Sequence, residues 1–100
     1  MTGKELKKKL LEHGLSAGKE GEELDIFRFN VYELFYGKIY VKIYSFSTTD
    51  DVAFIQTGAG RDGKGFEWND FYGDEMVNEY VKFLHNYQMK LKLDRINDDF

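Results

Sequence analysis

The sequence predicts an α+β domain of order α-β-β-β-(β)-α, with an antiparallel sheet of three to four strands packed by an N-terminal helix and a long C-terminal helix. Three observations carry this. Apolar residues recur at helical spacing near both ends of the chain. Between them, runs rich in Phe, Tyr, Val and Ile flank the turn Tyr36-Gly37-Lys38-Ile39. Finally, 100 residues with 42% hydrophobic composition suffice for one core and leave no room for a second, so residues 1–100 read as a single domain.

The first helix opens on Thr2, which forms the S/T-x-x-E capping pattern with Glu5. Leu6, Leu10 and Leu11 make its apolar stripe. Gly14 suits the left-handed residue after the last turn, and Leu15 can then fold back onto the helix, as in a Schellman ending. Ser16 to Glu23 reads as a polar, glycine-containing loop.

Residues 24–36 and 39–47 read as two long strands, with Gly37 at the positive-φ position of a two-residue hairpin. That turn sets a register. It places Glu33 opposite Lys42, Leu34 opposite Val41, Tyr32 opposite Ile43 and Phe35 opposite Tyr40, and it also pairs Asn30 with Ser45 and Phe29 with Phe46. Like meets like and opposite charges meet, the pairings that stabilise a ladder. One face of the hairpin carries Leu34, Val41, Tyr32 and Ile43; the other carries Phe27, Phe29, Val31, Tyr44 and Phe46. Two apolar faces imply either that helices cover both in part or that an aromatic patch stays open.

Ser47 to Asp51 is a turn by composition, and Val52 to Thr57 is a third strand. Asp62-Gly63 signals a further hairpin; whether Phe66-Glu67-Trp68 completes a fourth strand is open at this level. After Asn69 or Asp70 a long helix begins near Asp74. Acidic residues in its first turn and Lys90, Lys92 and Arg95 near its end both suit the helix dipole. Val77, Tyr80, Val81, Leu84, Tyr87 and Leu91 form its buried stripe, and Asn97 to Phe100 reads as a frayed tail.

The chain has no cysteine, so disulfides and cysteine metal sites are excluded. Its first residues lack the apolar stretch of a signal peptide and no run is long enough to span a bilayer, so a cytoplasmic location without membrane association is expected. The net charge of −4 is unevenly spread. Lys4, Lys7, Lys8 and Lys9 crowd the start, whereas Asp62, Glu67, Asp70, Asp74, Glu75 and Glu79 stand against Lys64 alone over residues 62–80. Such an acidic surface repels phosphates and favours basic partners, although solubility is its ordinary use.

Gly58, Gly60 and Gly63 match G-x-G-x-x-G, and Gly58, Gly63 and Lys64 match most of a P-loop. Both motifs need a helix immediately after the glycines, to present N–H groups to phosphate. Lys64-Gly65-Phe66-Glu67-Trp68 starts a helix poorly, and Gly65 replaces the magnesium-binding hydroxyl. A hairpin connection accounts better for the segment. His13 and His85 are the only histidines and join no ligand cluster, Asp50-Asp51 and Asp98-Asp99 lack calcium-loop spacing, and Asp74, Glu75 and Glu79 are ordinary helix-start acids. Glu33 has a cross-strand partner in Lys42, and His85 reads as an edge-of-core residue. The expectation is no catalytic residue, metal, cofactor or small-molecule substrate, hence no enzyme. Tyr40, Tyr44 and Phe46 could form a base-stacking platform, but the basic surround that gives affinity for nucleic acid is missing.

The opening Thr2-Gly3-Lys4-Glu5-Leu6-Lys7-Lys8-Lys9-Leu10-Leu11-Glu12-His13-Gly14 resembles the first helix of HicA-type mRNA interferase toxins, whose αβββα layout is similar to this one. The glycine-serine-histidine segment that carries that family's catalytic histidine is absent, so no RNA-cutting activity transfers. In layout, size and acidity the chain also resembles small phage-encoded anti-CRISPR inhibitors, some of which imitate DNA. That resemblance implies carboxylates presented to a basic nucleic-acid channel. The expected function is therefore a non-catalytic protein-binding module for a partner with a basic surface. Glu67, Asp70, Asp74, Glu75 and Glu79 would stand where phosphates stand, with Trp68 and Tyr72 as anchors. The rival readings are a toxin-like or dsRBD-like nucleic-acid-linked protein that uses the N-terminal lysines, and a structural homo-oligomer joined through the aromatic sheet face.

Overall fold

The computed structural model describes residues 1–24, 28–59, 65–68 and 74–98, with side chains placed over 1–22, 28–58 and 75–93. The order is α1 (Gly3–Glu12), β1 (Ser16–Leu24), β2 (Arg28–Tyr36), β3 (Ile39–Phe46), β4 (Val52–Ala59), β5 (Gly65–Trp68) and α2 (Asp74–Asp98). All strands join one antiparallel sheet in the order β1-β2-β3-β4-β5, an α+β fold of the expected class.

Helix α1 is closed at both ends by the residues that its sequence marks. The Thr2 hydroxyl accepts from the Glu5 N–H at 3.2 Å. At the far end Gly14 has φ +97, its N–H donates to the Leu11 carbonyl, and the Leu15 N–H donates to Leu10. This is the paired bonding of a Schellman motif, and the buried side chains of Leu10 and Leu15 belong to one cluster behind it.

The β2–β3 register is the one expected, from Phe29 opposite Phe46 to Tyr36 opposite Ile39. Gly37 has φ +61, as a turn with glycine first requires. A Cβ added there would come within 2.6 Å of the Gln88 amide nitrogen. Gly37→Val should therefore cost about 1 kcal/mol or more of stability, because a β-branched residue resists positive φ. Urea denaturation measures this, and an unchanged midpoint would contradict the assigned turn.

The sheet has more strands than the sequence suggests. Ser16 to Glu23, expected as a loop, forms β1 on the free edge of β2. Its polar composition hid it, because an edge strand is paired on one side only and is guarded against further pairing by charge. Here Lys19, Glu20 and Glu22 supply the charge and a register shift between Ala17 and Glu20 supplies a bulge. Gly18 is required by proximity, since a Cβ there would lie 2.7 Å from the Phe35 ring. Leu24, expected in the second strand, ends β1 opposite Arg28. Residues 66–68 do form a strand, β5, and α2 continues through Asp98 where a frayed tail from Asn97 was expected.

Both helices lie on the same face of the sheet. Leu6, Leu10 and Leu15 from the α1 side and Val77, Tyr80 and Leu84 from α2 meet Tyr32, Leu34, Ile39, Val41, Ile43 and Ile55 in one core. Val81, Tyr87 and Leu91 flank it, completing the stripe that the helical spacing marks. The opposite face carries no helix among the described residues.

Candidate interaction surfaces

Helix α2 presents two of the acidic residues that the sequence singles out. Glu75 and Glu79 are exposed and one turn apart, and neither closes an ion pair among the described residues. Asp74 begins the helix. Glu67 and Trp68 lie on β5, opposite Gln56 and Ile55. Asp70 and Tyr72 lie outside the described residues, as do Phe27 and residues 60–64 of the glycine-rich segment. The glycine-rich segment leads into the strand β5 and not into the helix a phosphate loop needs. Of the N-terminal lysines, Lys4 and Lys8 are exposed and Lys7 bonds the Glu20 carboxylate.

The helix-free face is built from alternate residues of the strands. Phe29, Val31, Glu33 and Phe35 on β2 stand opposite Phe46, Tyr44, Lys42 and Tyr40 on β3, and Phe54 on β4 stands opposite Tyr44. The Tyr44 and Phe54 rings stack at 4.4 Å between centroids. Phe29 packs against both, and against Phe46, at 5.8 to 6.0 Å. Tyr44 is buried, and no helix covers it among the described residues, while Phe35 and Phe46 remain 37% and 40% exposed. The Tyr44 hydroxyl donates to Gln56 at 3.3 Å. A polar row, Glu33 with Lys42, divides the aromatic residues. An open depression of about 250 Å³ lies along this row toward β1, lined among others by Lys19, Glu22 and Val31. The alternation within the hairpin reveals most of this face. Phe54 became part of it only through the β3–β4 pairing.

On the other side, the turn after β3 ties α1 to the sheet through Asp50, which has φ +59. Its backbone carbonyl accepts from the Gly3 N–H at 2.7 Å, and its carboxylate accepts from the Lys4 N–H at 3.2 Å. The other carboxylate oxygen accepts from the buried Ser45 hydroxyl at 2.6 Å and the Tyr32 phenol at 2.9 Å. Partial desolvation pushes the Asp50 carboxyl up, but the bonds from Ser45, Lys4, Tyr32 and Asn30 together hold it below its ordinary value. Burial, then the bond to Asp50 and its charge, push the Tyr32 phenol up to about 12. Gly3 fits only because it lacks a side chain, since a Cβ would sit 2.6 Å from the Tyr32 ring. The Asp50 oxygens are taken up by groups of α1 and the sheet, so this network acts as a clasp between them.

Elsewhere, the Tyr36 hydroxyl meets His85 Nδ1 at 2.9 Å. The Tyr80 hydroxyl bonds the buried Thr57 hydroxyl, and burial pushes the Tyr80 phenol above the ordinary range despite that bond. Among the described residues no group of three His, Asp or Glu is placed to hold a metal ion, and no helix is long and apolar enough to cross a membrane. No protein-family model, curated protein or solved structure matches the chain.

Proposed function

We propose that this chain is a non-catalytic protein-binding module whose partner presents a basic surface, in the manner of a small inhibitor that competes with nucleic acid. The observation that carries this reading is the pair Glu75 and Glu79, exposed at one-turn spacing and without a counter-ion among the described residues. They end a stretch of six carboxylates against one lysine, from Asp62 to Glu79. Favourable placement near a helix start explains Asp74 and Glu75 but does not require Glu67, Asp70 or Glu79. In this reading the carboxylates occupy phosphate positions on the partner, and Trp68 and Tyr72 add buried area. The resemblance in size, layout and acidity to small anti-CRISPR inhibitors points the same way, by analogy.

The test is competition. Wild-type chain used as bait should capture its partner after nuclease treatment, associate quickly at low salt, and be displaced by duplex DNA or heparin. The variant with Asp70, Glu75 and Glu79 all replaced by Lys should fold normally and lose capture. If it retains near-normal affinity, or if DNA does not displace the partner, the inhibitor reading fails.

A further inference from the structure

We propose that the helix-free face of the sheet is the interface of a homodimer, with a twofold axis running parallel to the strands between β2 and β3. Rotation about that axis lays each residue of β2 over its own cross-strand partner in the second copy. On this face the ladder reads Phe29–Phe46, Val31–Tyr44, Glu33–Lys42 and Phe35–Tyr40. Apolar groups therefore meet apolar groups across the interface. Glu33 of each copy meets Lys42 of the other, twice. The register that sets these residues opposite one another within one chain also makes the face complementary to itself, as a twofold interface requires.

Two further observations support a second copy as the occupant. Glu33 and Lys42 face each other in register and are part-exposed, yet they close no ion pair with each other or with any other described residue. Both charges are thus available to a partner. The same axis lays β1 over β4, bringing Gly21 toward the row that holds Phe54. A Cβ on Gly21 would meet nothing within 4 Å, so there is open space where a ring must be received.

The size of the face sets the strength. Four strands at about 4.8 Å spacing and about 26 Å length cover roughly 500 Å² per copy. Val31 and Tyr44 are already buried within one chain, so two copies bury at most roughly 1,000 Å², the lower bound for a specific interface, and the dimer should be weak and concentration-dependent. Glu75 and Glu79, the pair that carries the partner proposed above, belong to α2 on the other side of the sheet, so substitutions at Glu33 and Lys42 test this inference apart from that one.

Sedimentation velocity over a series from micromolar to millimolar chain tests it. The wild-type protein should shift from monomer to dimer. Glu33→Lys and Lys42→Glu should each weaken self-association roughly tenfold or more, because each sets like charges opposite one another. An equimolar mixture of the two variants should dimerise again. In that mixture the lysine introduced into one chain meets the glutamate introduced into the other, but neither chain regains its own cross-strand charge pair. Recovery in the mixture therefore reports contact between copies and not a repaired hairpin. Phe46→Glu, at an already exposed position, should also abolish association and serves if a charge variant misfolds. Wild-type chain that stays monomeric throughout, variants that associate like wild type, or a mixture without recovery would each overturn the proposal. A monomer in which Phe46→Glu weakens capture of a different protein would assign the face to that protein instead.

Discussion

Tyr80→Ala should lower the unfolding free energy by about 4 kcal/mol, within the range for aromatic-to-alanine changes in a core. Among the described residues Tyr80 is the largest fully buried side chain, and it sits where α2 meets the sheet. Its removal leaves a cavity that rigid strands on one side and a long helix on the other cannot close. Small domains are stable by only about 5–15 kcal/mol, so this variant should be marginal at physiological temperature. Tyr80→Phe separates the ring from its hydroxyl. It keeps the packing but deprives the buried Thr57 hydroxyl of its Tyr80 partner, at a cost of roughly 1–3 kcal/mol. Thr57→Val in the Tyr80→Phe background should recover much of that loss, because two apolar groups replace two polar ones. Urea denaturation of the wild type and these three variants measures the losses, and Thr57→Val alone completes the double-mutant cycle. A Tyr80→Ala loss below about 1 kcal/mol would mean that the α2 stripe is not in the core.

Asp50→Ala should cost about 3 kcal/mol, combining a lost helix cap with an orphaned buried donor at Ser45. Alanine also tolerates the left-handed backbone at this position less well than aspartate or asparagine. Asp50→Asn should cost less, since its amide oxygen can still accept from Ser45 or Tyr32. The pH dependence gives a second readout. The folded state holds the Asp50 carboxyl below its ordinary value, so the stability this provides is fully present above about pH 4, the unfolded aspartate value, and is lost as the pH falls through the depressed folded value. Wild-type stability should therefore fall more steeply with acid than that of Asp50→Asn, which has no carboxyl to protonate there. Parallel acid limbs for the two proteins would show that the clasp contributes nothing through its charge.

The elements legible in the chain were those whose signals are local. Thr2 with Glu5, and Gly14 with Leu15, mark the ends of α1 because capping needs only neighbouring backbone groups. Gly37 sets the turn, and once the turn is set the ladder has one register, which sets apolar residues opposite apolar ones and Glu33 opposite Lys42. The stripe from Val77 to Leu91 is a property of helical spacing alone. Of the candidate acidic surface, the sequence supplied the composition and the exposed helix positions of Glu75 and Glu79.

Tertiary structure alone decided the rest. Strand β1 has no hydrophobic signature because its order comes from main-chain bonds to β2 and from Gly18 fitting beneath Phe35. Asp50 looks like a turn residue in sequence. Its bonds to Gly3 and Lys4 span more than forty positions, so no local pattern reveals it as the anchor of α1. Two apolar faces on the hairpin were equally compatible with helices on both sides or on one. Which face is covered depends on where α1 and α2 pack after the strands have paired, and both take the side of Leu34, Val41 and Ile43. That choice leaves Phe29, Tyr44, Phe46 and Phe54 on the opposite face, which carries no helix among the described residues.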